Sequence, residues 1–117
     1  MSKILIVDDA AIDRQNLATI LASAGHLVLL ADGGEQALVR ARLDKPDVIL
    51  MDVNMPELDG FATTRRLKAD AATRDIPVVF VTGKNQKADV AWGRMLGAKG
   101  YVAKPYSPEQ ILSELEA

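Results

Sequence analysis

The chain has no cysteine. Disulfides, thiol catalysis and zinc-thiolate sites are therefore excluded together. Histidine occurs once, as His26, which argues against a histidine-built metal centre. It also argues against a serine hydrolase triad, where a base must sit between nucleophile and acid. A large excess of one charge is lacking too: the net charge is −2 with acids and bases interspersed, so no surface for nucleic acid or anionic lipid is expected. No apolar run approaches membrane-spanning length, and the opening MSKILIVDD lacks the apolar core and cleavage site of a signal peptide. The expectation is a cytoplasmic protein without membrane insertion. No linker, low-complexity tract or sequence repeat divides the 117 residues, and 49% hydrophobic residues can close one core, so one domain over 1–117 is expected. The chemistry left open belongs to Asp, Glu, Lys, Ser and Thr.

What is present is a rhythm. Short apolar runs recur as KILIV (3–7), LVLLA (27–31), VILM (48–51), PVVFV (77–81) and GYVA (100–103), each with the length and β-branching of a strand. Between them lie helical spacings: Leu17, Ile20, Leu21 and Ala24; Gly34, Ala37, Leu38 and Ala41; Phe61, Thr64 and Leu67. A last one, Ile111, Leu112 and Leu115, follows Ser107 as N-cap and Pro108 at the first helical position. Strands without polar alternation are covered on both faces, and strands separated by helices run parallel with right-handed crossovers. The pattern predicts an α/β domain of five strand-helix units, an open parallel sheet with helices on both faces.

In such a sheet the carboxyl ends of the strands share one edge, where ligands bind. The residues there are Asp8 and Asp9 after the first run, Asp52 after the third, Thr82 after the fourth and Lys104 after the fifth. Three crowded carboxylates repel one another unless a cation intervenes, and an all-oxygen acidic set suits Mg²⁺. With charge cancelled, a carboxylate oxygen can attack phosphorus and form an aspartyl phosphate. The incoming phosphoryl oxygens then have partners in the metal, in Lys104 and in the Thr82 hydroxyl or a backbone N–H. Asp52, alone at a central strand end, is the expected nucleophile, with Asp8 and Asp9 as the metal pair.

Plainer roles exist for each residue. Asp8 with Asp9 could cap the first helix, Thr82 could satisfy backbone at a strand end, and Lys104 could be a surface lysine. A cis Lys104-Pro105 bond would instead aim it inward, although most X-Pro bonds are trans. His26 reads as part of a solvated turn after Gly25. Asp32 to Glu35 reads as a turn and helix start, because Gly33-Gly34 alone is no phosphate loop. On a helical wheel Val90, Gly93, Leu96 and Gly97 form one side and Ala88, Ala91, Trp92 and Met95 another. Glycines suit close packing on the sheet, leaving Trp92 either as a partner surface or folded over the core edge.

The stretches ILIVDD, AGHLVLLADGGEQAL, PDVILMDVNMPELDG, IPVVFVTG and LGAKGYVAKP together resemble the response-regulator receiver domain, the CheY-like family, over essentially the whole chain. The resemblance implies a (βα)5 flavodoxin-like fold with strand order 2-1-3-4-5 and a two-component signalling role. It implies Asp52 as phosphoacceptor, Mg²⁺ bound by Asp9 directly, by Asp8 mostly through water, by Asp52 and by the Asn54 backbone carbonyl, and Lys104 on a phosphoryl oxygen. Thr82 would be the switch hydroxyl and Tyr101 the aromatic that follows it, although a half-buried strand tyrosine is common in any sheet. Asn54 and Lys84 match positions that tune dephosphorylation. The implied partners are a histidine kinase or phosphotransfer protein and a downstream protein target, met by a surface of the fourth helix, fifth strand and fifth helix that includes Trp92, Met95 and Tyr101. A monomer or a weak phosphorylation-dependent dimer would carry this signal, and the chain would not be a conventional enzyme. VTGKNQKADVAWGRMLGAKGYVAKP further resembles the stand-alone receivers of twitching-motility chemosensory systems, so no output domain is expected. The alternatives are an aspartyl-phosphate phosphatase, whose DxD pattern would need Asp where Asn54 stands; a flavodoxin-like cofactor binder, whose phosphate loop VDDAAID does not provide; and a receiver piece of a multidomain regulator.

Overall fold

The apolar runs form strands and the intervals between them form helices. The computed structural model describes residues 1–116. Along it run β1 (Lys3–Val7), α1 (Ala11–Ser23), β2 (Leu27–Ala31), α2 (Gly34–Asp44), β3 (Val48–Met51), α3 (Gly60–Ala69), β4 (Val78–Thr82), α4 (Lys87–Met95), β5 (Gly100–Ala103) and α5 (Pro108–Glu114). Ala117, the last residue of the expected domain, lies outside the described residues. Every pairing is parallel, and the sheet order is β2-β1-β3-β4-β5. This is the flavodoxin-like order the resemblance implied.

Alternation of side chains along each strand builds two cores from one sheet. Leu5, Val7, Ile49, Met51, Val78 and Phe80 point to the face covered by Ala37 and Ala41 of α2 and Leu67 of α3. Ile4, Ile6, Leu50, Val79, Val81 and Val102 point to the other, against Leu17 and Leu21 of α1 and Ile111 of α5. Central strands therefore lack polar alternation because both faces are dry.

Two expectations are corrected. β2 is covered only in part: it is an edge strand whose Leu29 packs against one core and Val28 against the other, while Leu27 is 49% and Leu30 40% exposed. The fourth strand begins at Val78 rather than at Pro77 and includes Thr82. Pro77 has no N–H for a ladder; only its carbonyl pairs, accepting from the Ile49 N–H at 2.9 Å.

Helix ends follow local chemistry. Asp59 caps α3 by accepting the Ala62 N–H at 2.8 Å, and Ser107 with Gln110 forms a capping box ahead of Pro108. α1 has no side-chain cap; its N-cap is Ala10. His26 is not simply solvated, since its half-buried ring accepts the Ser2 N–H at Nδ1, 3.1 Å away. α2 ends on Lys45 at φ 47, a left-handed conformation that suits glycine. Lys45→Gly is expected to raise unfolding free energy by about 0.5 kcal/mol, read from the urea midpoint at unchanged m-value.

Candidate functional site

The strand register builds the site. Val7 of β1 lies opposite Met51 of β3, so the next residues, Asp8 and Asp52, leave neighbouring strands side by side. Their backbones stay tied to the sheet: the Asp52 N–H donates to the Val7 carbonyl at 2.9 Å and the Asp8 N–H to the Ala31 carbonyl at 3.2 Å. One carboxylate oxygen from each of Asp8, Asp9 and Asp52 lies within 4.8 Å of the others. Asp8 and Asp52 are buried and Asp9 is exposed. Oxygen donors that close together, two of them shielded from water, are a donor set for a hard divalent cation.

Lys104 reaches this cluster from the loop after β5. Its N–H donates to the Thr82 carbonyl at 3.0 Å, and the Lys104-Pro105 peptide is cis. The ammonium donates to Asp8 Oδ2 at 2.7 Å, to Asp13 Oδ2 at 3.0 Å and, at a longer 3.4 Å, to Asp52 Oδ2. Burial alone would lower the lysine pKa, but the hydrogen bonds to Asp8 and Asp13 and the Asp52 charge outweigh it and hold the ammonium above its ordinary value. Burial pushes the Asp8 carboxyl upward, although hydrogen bonds from Lys104 and the Ala10 N–H pull against it. Asp13 escaped the sequence reading. An acid in the first turn of a helix usually answers the helix dipole, and only the position of Lys104 distinguishes this one.

The turn after Asp52 is shaped by close backbone contact. Asp52 Oδ1 accepts the Val53 N–H at 2.7 Å, and the Gly60 N–H closes the loop onto the Val53 carbonyl at 2.9 Å. A Cβ at Gly60 would stand 2.0 Å from the Asp52 carbonyl oxygen. Asn54 is exposed, and among the described residues no backbone N–H takes its carbonyl.

Thr82 and Tyr101 lie on the strands beyond β3. Thr82 is buried and its hydroxyl accepts the Lys84 N–H at 3.2 Å. Tyr101 is half-buried, its ring 5.5 Å from that of Phe80 and its hydroxyl donating to the Lys84 carbonyl. Burial, then the charges of Asp89 and Asp52, push its phenol up to about 12. Both side chains thus engage one residue of the β4–α4 loop. On α4, Gly93 faces the sheet, where a Cβ would meet the Tyr101 ring at 2.9 Å. Trp92, 38% exposed, and Met95, 77% exposed, face outward, and the Arg65 guanidinium lies 5.6 Å from the Trp92 ring centre. Asp8, Asp9, Asp52 and Lys104 are therefore brought together, whereas Trp92 and Met95 lie on a separate surface.

Known proteins are similar to this chain in sequence and fold. The family described as the response regulator receiver domain matches residues 4–116. Protein PilH of Pseudomonas aeruginosa is 45% identical over 117 residues, covering 100% of this chain and 97% of PilH. The chemotaxis protein CheY4 of Vibrio cholerae has a similar structure, with a TM-score of 0.92 and 34% identity over 98% of this chain and 96% of that one. So does the receiver domain of the Pseudomonas aeruginosa sensor histidine kinase PA1611, described with a magnesium ion in its active-site cleft: TM-score 0.89 and 31% identity over 97% of this chain and 93% of that one. On sequence along its whole length and on fold, the chain belongs to the response regulator receiver domain family, whose members serve two-component and chemotaxis-like signalling and are not conventional enzymes.

Proposed function

We propose that this receiver domain accepts a phosphoryl group on Asp52 from a histidine kinase or phosphotransfer protein. The observation carrying this reading is the shielded Asp52 carboxylate, set beside Asp8 and Asp9 with the Lys104 ammonium within reach. An Asp52 oxygen attacks phosphorus and forms the new O–P bond. The bond to the donor breaks, and its electron pair leaves with the donor nitrogen or carboxylate. Lys104 then takes a phosphoryl oxygen, and the Thr82 hydroxyl or a backbone N–H another.

Asp8, Asp9, Asp52 and the Asn54 carbonyl are the residues that would hold Mg²⁺. The free Asn54 carbonyl and the oxygen-only donor set fit such an ion. Bound there, Mg²⁺ supplies positive charge against the phosphoryl oxygens. Thr82 and Tyr101 both rest on Lys84, so drawing Thr82 toward the phosphoryl group frees the Lys84 N–H and changes the loop that Tyr101 holds. The readout is a population shift of the α4, β5 and α5 surface, including Trp92 and Met95, toward a form that binds a downstream protein. Likeness to PilH supports a role in cytoplasmic pilus-motility signalling.

The test is intact mass after incubation with acetyl phosphate and Mg²⁺. The natural chain should gain one phosphoryl group and Asp52→Asn none. A natural chain that binds Mg²⁺ yet gains no phosphoryl mass would remove the centre of this reading.

A further inference from the structure

We infer that Asp13 is a positioning residue that anchors Lys104 for phosphoryl transfer; the inference rests on the function proposed above. An ammonium has three N–H donors, and here each is directed at a carboxylate. Two of the contacts are short, 2.7 Å to Asp8 and 3.0 Å to Asp13, and the third, 3.4 Å to Asp52, is slack. The short pair fixes the ammonium from the α1 side and leaves the remaining donor aimed at the acceptor carboxylate. A phosphoryl oxygen on Asp52 can take that donor without breaking either anchor.

The two anchors are not equivalent. Asp8 belongs to the carboxylate cluster with Asp9 and Asp52, so its charge is shared once a cation occupies that cluster. Asp13 stands outside the cluster and keeps its whole charge for Lys104. Its side chain is 40% exposed against 1% for Asp8, so water and not a metal is its other neighbour. Asp13 lies in the first turn of α1. A rigid helix therefore holds the anchor, and a flexible four-carbon stem is pinned where transfer needs it.

The experiment compares the natural chain, Asp13→Asn, Lys104→Met and the double variant, with acetyl phosphate concentration varied at saturating Mg²⁺. Asp13→Asn should lower the maximal phosphorylation rate about two- to tenfold with little change in half-saturating acetyl phosphate. In the Lys104→Met background the same change should have no further effect, because its route is gone. A second readout needs no turnover: in the metal-free protein the ¹⁵N-detected Lys104 ammonium signal, slowed in exchange by its hydrogen bonds, should weaken in Asp13→Asn. An unchanged or raised maximal rate, an equal loss in the Lys104→Met background, or an unaltered ammonium signal overturns the inference and leaves Asp52 as acceptor. Failure of the natural chain to gain phosphoryl mass overturns both.

Discussion

Gly60→Ala is expected to lower folding stability by about 3 kcal/mol and to disable the acidic site in the molecules that still fold. The added Cβ would fall 2.0 Å from the Asp52 carbonyl oxygen, 2.8 Å from the Asp52 carbonyl carbon and 2.9 Å from the Val53 Cα. All three atoms are backbone, so no side chain can rotate aside. The clash must be relieved either by moving α3, whose first residue is Gly60, or by displacing the strand end that carries Asp52. The first choice breaks the Gly60 N–H bond to Val53 and disturbs Leu67 in the core. The second moves the proposed nucleophile away from Asp8 and Asp9. Urea unfolding reads the stability loss, and Mg²⁺ titration by calorimetry reads the damage to the site. Gly83→Ala is the control, since a Cβ there meets nothing within 4 Å; its stability should stay within about 0.5 kcal/mol of the natural chain. A Gly60→Ala protein of natural stability would show that the turn is softer than its contacts imply.

Lys104→Met should slow phosphorylation about 100-fold and steepen the protein's gain of stability in mild acid. The ammonium is the one cation that hydrogen-bonds to the carboxylates of Asp8, Asp13 and Asp52 among the described residues. Removing it leaves a buried Asp8 carboxylate beside like charge, at a cost of about 2–3 kcal/mol at neutral pH. The Asp8 carboxyl is already raised by burial, and Lys104 is the first influence holding it down; without the lysine it rises further. A carboxyl raised by folding binds its proton more tightly in the folded state, so its contribution to stability falls as pH rises from the ordinary carboxylate value through the folded one. The variant should therefore regain stability as pH falls from 7 toward that raised value, and more steeply than the natural chain. Added Mg²⁺ should regain it at neutral pH, by binding only the folded state. Thermal unfolding across pH, with and without Mg²⁺, gives both answers. Equal pH slopes in the two proteins would mean that Lys104 does not neutralise the site.

Most of the architecture is legible in the sequence, for a physical reason. Strands dry on both faces, such as Val48–Met51, need uninterrupted apolar runs, and Ser107 with Pro108 announces a helix start by its hydrogen-bonding. The convergence of Asp8, Asp52 and Lys104 is legible because parallel strands end on one edge. Strand order is not, since several orders satisfy the same right-handed crossovers; it came from family resemblance. The exposure of Leu27 and Leu30 is hidden because an apolar edge strand is spelled like a central one. Asp13 is hidden because its partner lies 91 residues away. The wheel reading of α4 separated Gly93 from Trp92, yet the Arg65 guanidinium over the indole depends on how α3 and α4 sit together.

The register that sets Val7 opposite Met51 also works as a proofreading device. Asp8 and Asp52 meet only after β1 and β3 have paired, and Lys104 joins Asp8 across 96 residues only once β5 has been laid at the far edge. No local fragment of the chain carries a competent acceptor. On the function proposed above, a phosphoryl mark could be written only on a molecule whose sheet is finished, and each marked copy would certify its own folding before any partner read it.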